Sequence, residues 1–211
     1  ALCLGEPPVE FTWKYQDKDG VTRVLSTTPL EFYRSIVPAD YGYKSNVMVM
    51  NDPTREYYKV YSIDCYKSVI EGTPWVYLNL PNEEIKAAAL ATVKDNEPVY
   101  ISCDWRKGMN KSACTMDMDT YDLNTLFGMN FDMDKKARIL TRYSTSAHAV
   151  LIVACDTDEN DKPVKWKVFN SWFATGEKME YTVSDEWLDG YVFRVSLDRK
   201  YLSAKALEAL G

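Results

Sequence analysis

Histidine is almost absent from this 211-residue sequence, which has a single one, at position 148. Structural zinc sites draw on clustered cysteine and histidine ligands, so one histidine without paired thiols excludes the usual zinc arrangements. The five cysteines are scattered, odd in number, and never form a Cys-x-x-Cys pair. This usage favours a reduced intracellular compartment, the cytoplasm, over a disulfide-stabilised secreted domain. We expect no metal and no organic cofactor.

Long apolar runs are also absent. No segment approaches the roughly 18 apolar residues that span a bilayer. The first residues, ALCLGEPPVEF, lack the basic start and apolar stretch of an intact secretory signal, so no membrane partner is expected. The net charge of −6 argues against nucleic acid, whose partners usually present a basic face to the phosphates. The 46% hydrophobic content suffices for a core of ordinary size.

Local patterns predict both strands and helices. Alternating aromatic residues from Phe11 to Tyr15, a turn containing Gly20 and a second alternating run predict a β-hairpin. Thr28-Pro29-Leu30-Glu31 is typical of a helix start with a capping box. Asn82 is expected to cap a second helix, and Ser203 a short final one.

The predicted fold class is α+β, with antiparallel strands and peripheral helices. Further strands are predicted over residues 47–50, 99–105, 149–155, 164–169 and 191–197. We divide the chain into a hairpin-plus-helix subdomain at 1–75 and a C-terminal β-rich lobe at 76–211, which carries the histidine.

The residues that carry chemistry are His148 and Asn170. They flank two apolar strands joined by a polar turn, and a hairpin folded about residue 159 would place them opposite each other. Directly opposed residues lie about 4.5–5.5 Å apart on one face. An asparagine carbonyl that accepts one ring N–H holds an imidazole in a single tautomer, which suits a base that activates a thiol. Trp172 is placed to cover that hydrogen bond.

Several blocks of the sequence, in the same order, resemble bleomycin hydrolase and bacterial aminopeptidase C, a family of papain-like cysteine peptidases. The blocks are IKAAALATVKDNEPVYISCDW (85–105), YDLNTLFG (121–128), HAVLIVACD (148–156), WKVFNSW (166–172) and SDEWLDGYVFRVSLDRKYL (184–202). The resemblance implies a papain-like fold, of which this chain is the C-terminal portion with the barrel-like lobe. It also implies catalytic roles for His148 and Asn170, support from Trp172, and peptide substrates that lose N-terminal residues.

The sequence departs from the family pattern in three places. The family's nucleophilic cysteine and oxyanion-hole glutamine lie upstream on another lobe, and no motif in this chain matches them. The Asn-Ser-Trp motif is usually followed by glycine, whereas here it is followed by Phe173, and the stretch from Ala174 to Glu180 is short. The family's C-terminal tail, which anchors the substrate's amino end, would begin about where Gly211 stands.

None of the cysteines present is expected to be the nucleophile. Cys155 lies seven residues along a strand from His148, about 23 Å away at about 3.3 Å per residue, and on the opposite face. Cys103 falls in an apolar strand and is expected to be a core residue. The other three lack the helix start or basic neighbours that lower a thiol pKa: Cys3, Cys65 and Cys114.

Three functional hypotheses follow. The first is a cysteine aminopeptidase similar to bleomycin hydrolase, whose C-terminal half is inactive alone because it lacks the nucleophile. The second is a catalytically inactive remnant or interaction module. The third is one chain of a split peptidase that pairs with the missing N-terminal half. An absent lobe would expose an apolar contact face, so we also expect homo-oligomers.

Overall fold

A computed structural model shows how these elements fold. It describes residues 5–6, 8–39, 45–67, 69–72, 74–172 and 178–211. The chain divides into two compact units, Ala1–Tyr43 and Lys44–Gly211. No helix in the described ranges is long and apolar enough to cross a membrane.

The first unit contains a β-hairpin followed by one helix. Strand β1 (Phe11–Gln16) pairs antiparallel with β2 (Thr22–Thr27). Gly20 supplies the positive φ of 75° in the connecting turn, a conformation that glycine adopts without steric penalty. Helix α1 (Pro29–Ile36) has Thr28 as its N-cap and shows both hydrogen bonds of a capping box. These elements confirm the local predictions for this part of the chain.

The second unit is built on a ten-stranded sheet. Its strands are β3 (Asn46–Met50), β4 (Lys59–Ser62), β5 (Val76–Asn79), β6 (Val99–Cys103), β7 (Met109–Asn110), β8 (Thr115–Met116), β9 (His148–Thr157), β10 (Pro163–Phe169), β11 (Glu180–Ser184) and β12 (Val192–Asp198). They lie in the order β4-β5-β3-β12-β6-β9-β10-β11-β8-β7. The β3–β5 and β8–β11 pairs are parallel, and the other pairs are antiparallel. In the part of the chain that the structure describes, the two edge strands β4 and β7 do not pair with each other. The sheet is therefore open and does not close into a barrel.

Helices flank this sheet, which confirms the α+β class. They are α2 (Asn82–Lys94), α3 (Leu123–Phe127), α4 (Lys135–Leu140), α5 (Asp185–Tyr191) and α6 (Ala204–Leu210). Ser203 caps α6 as predicted. The predicted cap of α2 is wrong, because Pro81 occupies the N-cap position and Asn82 is the first helical residue. The Asn82 amide instead donates to the carbonyl oxygen of Asp189 (3.1 Å).

The division between the two units falls earlier than the sequence-based boundary after residue 75. Strand β3 pairs with β12 from Asn46↔Asp198 to Met50↔Arg194, and β5 pairs with both β3 and β4. Residues 46–62 therefore belong to the large sheet of the second unit. Their assignment could not be read from nearby sequence, because β3 pairs with β12, a strand from the end of the chain.

The core lies on the inner face of the central strands. Val99 and Ile101 of β6 and Trp166 and Val168 of β10 are fully buried. Helix α2 packs against β6, β9 and β12, and α5 packs against β10, β11 and β12. Burial of these apolar side chains fixes β9 and β10 side by side, and these are the strands that position His148 and Asn170.

A buried ionic network joins α2, α5 and β10. Lys86 Nζ donates to Asp185 (2.7 Å) and to Asp189 (2.8 Å). Trp166 Nε1 donates to the second carboxylate oxygen of Asp185 (3.0 Å). Since Lys86 and Asp185 expose only 14% and 10% of their side chains, each depends on the other for charge compensation.

Asp185→Ala is expected to destabilise the protein by about 2–4 kcal/mol, because it removes one partner of the Lys86 ammonium and leaves the Trp166 indole N–H without an acceptor. Urea unfolding followed by tryptophan fluorescence measures this change. The matched control is Asp156→Ala, which removes the exposed ion pair with Lys165 and should alter stability by about 0.5 kcal/mol or less. Equal losses in the two variants would contradict a stabilising role for the network.

Candidate active site

His148 and Asn170 lie at the ends of two adjacent central strands. His148 is the first residue of β9, and its partner on β6 is Cys103. Asn170 directly follows β10, and its backbone N–H donates to the carbonyl oxygen of Met179 (2.6 Å). The distance between His148 Nε2 and Asn170 Oδ1 is 2.8 Å. The structure therefore brings together the two side chains that the sequence singled out.

The strand register that brings them together differs from the predicted one. Val168 of β10 pairs with Ile152 of β9. Continued by two residues, this pairing places Asn170 opposite Val150, so His148 is its diagonal neighbour. Diagonal neighbours on one face are about 7–8 Å apart and remain within reach of long side chains. The predicted direct opposition is wrong, and the contact forms across the diagonal.

The difference begins at the turn, where Pro163 pairs with Thr157 rather than with Cys155, and two later irregularities in the ladder offset each other. The second of them is a β-bulge in β9. Successive residues of β10 pair with Ala154 and then with Ile152, so the register skips Val153. One extra residue reverses the alternation of side chains beyond it. Cys155 consequently lies opposite the buried Trp166 and packs against the core. The prediction that Cys155 is on the face opposite the histidine is wrong for this reason.

The surroundings of Asn170 determine which ring nitrogen of His148 carries the proton. The Asn170 side chain is buried, and its Oδ1 also accepts from the backbone N–H of Ser171 (2.8 Å). A backbone N–H can only donate, so the amide atom facing it must be the oxygen. His148 Nε2 faces the same oxygen and must therefore donate. In the neutral imidazole this leaves Nδ1 as the basic nitrogen.

Two tryptophans flank the imidazole. The Trp172 ring centroid is 4.4 Å from that of His148, and the Trp105 centroid is 5.5 Å from it. The Arg106 guanidinium lies over the Trp172 ring at 5.1 Å, and Tyr181 packs edge-on against Trp105 at 5.2 Å. These apolar rings limit the access of water to the hydrogen bond. Sequence reasoning singled out Trp172 but missed Trp105, whose position depends on the pairing of β6 with β9.

The segment that leads into His148 is held by Asp104. This carboxylate is buried and accepts hydrogen bonds from Ser144 Oγ (2.8 Å) and from the backbone N–H of Thr145 (3.4 Å). The backbone N–H of Ala147 donates to the carbonyl oxygen of Cys103 (3.0 Å). These bonds fix the backbone of residues 144–147, which lead into the strand. The only sequence signal was a lone aspartate at the end of an apolar strand.

Two cysteines near this part of the sheet are unsuited to act as nucleophiles. Cys103 is the strand partner of His148, but it is fully buried, as expected for a core residue. Burial, and secondly the Asp104 carboxylate, raise the pKa of Cys103 to about 12. Burial also raises the pKa of Cys155 to about 11. Both thiols stay protonated at neutral pH, and the thiolate is the reactive form.

Two sequence-based expectations fall on residues outside the described ranges. Phe173 and most of the shortened stretch 174–180 belong to residues 173–177, and Cys3 belongs to residues 1–4.

Comparison with known proteins identifies the class. The model of the Peptidase C1-like family matches residues 1–211, so the chain belongs to this family of papain-like cysteine peptidases. It is 34% identical to bleomycin hydrolase of Homo sapiens over 99% of its length, and 34% identical to aminopeptidase C of Listeria monocytogenes over all of it. Among solved structures it is similar to PepW from Lactobacillus rhamnosis HN001, with a TM-score of 0.85 and 29% identity over 99% of the chain.

These comparisons confirm the family resemblance and the fold. The chain spans 48% of the length of the two curated relatives and 47% of the PepW chain, so it corresponds to about half of each.

The tautomer of His148 can be measured directly, because the protein has no other histidine. Long-range ¹H–¹⁵N NMR at alkaline pH is expected to show an imidazole protonated on Nε2. Asn170→Ala removes the acceptor and should give a mixture of the two tautomers. Ser171→Ala retains the backbone N–H that orients the amide, and it should match the wild type. A wild-type ring protonated mainly on Nδ1 would contradict the assignment.

Cys103 is expected to resist alkylation in the native protein, because its thiol is buried and its pKa is raised to about 12. Iodoacetamide treatment followed by peptide mapping, before and after unfolding in guanidinium, measures this protection. The exposed Cys65 is the internal control for reagent access. If native Cys103 reacts as fast as Cys65, its exclusion as a nucleophile fails.

Proposed function

We propose that this chain is the histidine- and asparagine-bearing half of a papain-like cysteine aminopeptidase of the bleomycin hydrolase type. The observation that carries the proposal is the 2.8 Å contact between His148 Nε2 and Asn170 Oδ1 in a chain of the Peptidase C1-like family. Relatives named aminopeptidase C and bleomycin hydrolase support a reaction that removes N-terminal residues from peptides.

In this mechanism His148 is a general base and then a general acid. Its Nδ1 takes the proton of a cysteine thiol, and the thiolate attacks the peptide carbonyl carbon. The imidazolium returns the proton to the leaving amine, which departs and leaves a thioester. Water then hydrolyses the thioester with His148 as base, and the thiol is regenerated. Asn170 keeps the ring in the reactive tautomer, and Trp172 shields their hydrogen bond from water.

The nucleophile belongs to a different segment in this proposal. Cys103, the cysteine paired with His148 in the sheet, is buried and protonated, which disfavours a local thiolate. The same observation supports two alternatives. The chain is one subunit of a split peptidase that gains its cysteine from the other half, or it is a catalytically inactive interaction module.

The proposal also includes association of this chain with another polypeptide. Leu126, Phe127 and Met129, at the end of α3, each expose more than 60% of their surface. Exposed apolar groups of this kind favour burial against a partner. We assign that surface to the nucleophile-bearing half or to a second copy in a homo-oligomer, in the cytoplasm.

Hydrolysis of a fluorogenic aminoacyl amide, by this chain alone and together with the polypeptide encoded immediately upstream, tests the proposal. Activity is expected only when the nucleophile-bearing segment is present. His148→Ala should lower kcat by at least about 100-fold, since general acid–base transfer contributes roughly 10²–10⁴-fold. Asn170→Ala should cause a smaller loss, and the exposed Cys65→Ser is the neutral control.

Two results would overturn parts of this proposal. Activity of the chain alone that is abolished by thiol alkylation would show that the nucleophile is local. If no combination is active while circular dichroism shows intact folding, the inactive interaction module is the correct alternative.

A further inference from the structure

A groove of about 680 Å³ lies on the second unit beside α3, α4 and the end of α5. Its lining shares no residue with the His148–Asn170 pair. Aromatic rings are prominent along it: Tyr121, Phe131 and Tyr143 are each 46% or more exposed. An open groove with an aromatic wall suits a ligand that carries an apolar side chain.

Arg138 also lines this groove and is only 8% exposed. Its guanidinium packs on the Tyr191 ring, with Cζ 4.9 Å from the ring centroid. In the ranges that the structure describes, no carboxylate pairs with it and no oxygen accepts a hydrogen bond from it. Buried arginines are normally paired, so a guanidinium with no protein acceptor among the described residues is an unusual arrangement.

The fold makes room for this guanidinium. A Cβ atom on Gly190 would stand 2.8 Å from Arg138 Nη1, so any larger residue there would displace the side chain. The contact with Tyr191 offsets part of the lost hydration but provides no hydrogen-bond acceptor. Lys135, one helical turn away on α4, is also buried, and its Nζ donates to the carbonyl oxygen of Val192 (2.5 Å). Burial lowers the pKa of Lys135 to about 7. In the described ranges Arg138 is therefore held by packing against its neighbours and not by an ion pair.

Three aspartates line the groove, and in the described ranges none of them forms an ion pair with Arg138. Asp122 accepts from the backbone N–H of Thr125 as the cap of α3 (3.0 Å), and Asp132 accepts from the Asn124 amide (3.1 Å). Asp119 is exposed on the groove wall. A ligand that also carries an ammonium group would be attracted to such carboxylates.

We propose that this groove binds an α-carboxylate on Arg138, with the ligand's apolar side chain against the aromatic wall. A planar guanidinium matches a carboxylate through two parallel N–H···O bonds, and the small exposed fraction of Arg138 faces few competing partners. The ligand is a free aromatic amino acid or the C-terminus of a peptide, since both present this chemistry. The inference does not depend on the peptidase mechanism.

Calorimetric titration of the intact chain with three probes tests the site. N-acetyl-L-phenylalanine should bind, and its primary amide, which lacks the carboxylate, should bind at least tenfold more weakly. L-phenylalanine adds a free ammonium group. If it binds more tightly than the acetylated acid, the ligand is a free amino acid, and the reverse order identifies a peptide C-terminus.

Variants locate the binding to Arg138. Arg138→Lys keeps the positive charge but loses the planar guanidinium that can form two parallel hydrogen bonds. It should weaken binding of N-acetyl-L-phenylalanine at least tenfold. Lys136→Gln, an exposed position on the same helix, should leave binding unchanged. Tyr143→Ala tests the aromatic wall without touching the buried arginine, so the site can be tested even if Arg138 variants do not fold. Equal binding of acid and amide, unchanged binding by Arg138→Lys, or no binding at millimolar concentration would each overturn the inference.

Discussion

The hydrogen bond between His148 and Asn170 depends on the antiparallel pairing of β9 with β10, and much of the second unit maintains that pairing. The two residues are diagonal rather than opposed, so a shift of one residue in the register would separate them. The register is held from the inner face, where α2 and α5 pack on these strands and Asp185 bonds to Trp166 of β10. Apolar burial supplies the stability, and the buried polar contacts restrict the arrangement to one geometry.

Around this bond, each neighbour contributes a distinct physical effect. The Ser171 backbone N–H fixes the orientation of the Asn170 amide, and that orientation fixes the tautomer of the imidazole. Trp105 and Trp172 limit the access of water. Cys103, the nearest thiol along the sheet, is kept neutral by burial. The result is an imidazole whose Nδ1 is the basic nitrogen, and in the proposed mechanism this nitrogen activates a thiol from another segment.

Features that depend on near neighbours in sequence could be predicted. The capping box at Thr28 and the cap at Ser203 involve residues within one turn of helix, and the turn at Gly20 needs only a glycine at positive φ. Asn82 shows the limit of such reasoning, because Pro81 takes its place at the cap and the amide bonds to Asp189, a residue 107 positions away. The bulge at Val153 is a property of two paired strands, and no pattern within one strand revealed it.

The family, the α+β class and the candidate site residues His148, Asn170 and Trp172 follow from the amino-acid sequence alone, because motif order and residue chemistry are properties of the chain. The open sheet, the diagonal contact between His148 and Asn170 and the protonation of His148 on Nε2 depend on the tertiary structure. It alone placed Trp105 beside the imidazole and buried Arg138 with no carboxylate partner among the described residues. These features depend on which distant strands and helices pack together, and that choice minimises the free energy of the whole chain rather than of any one segment.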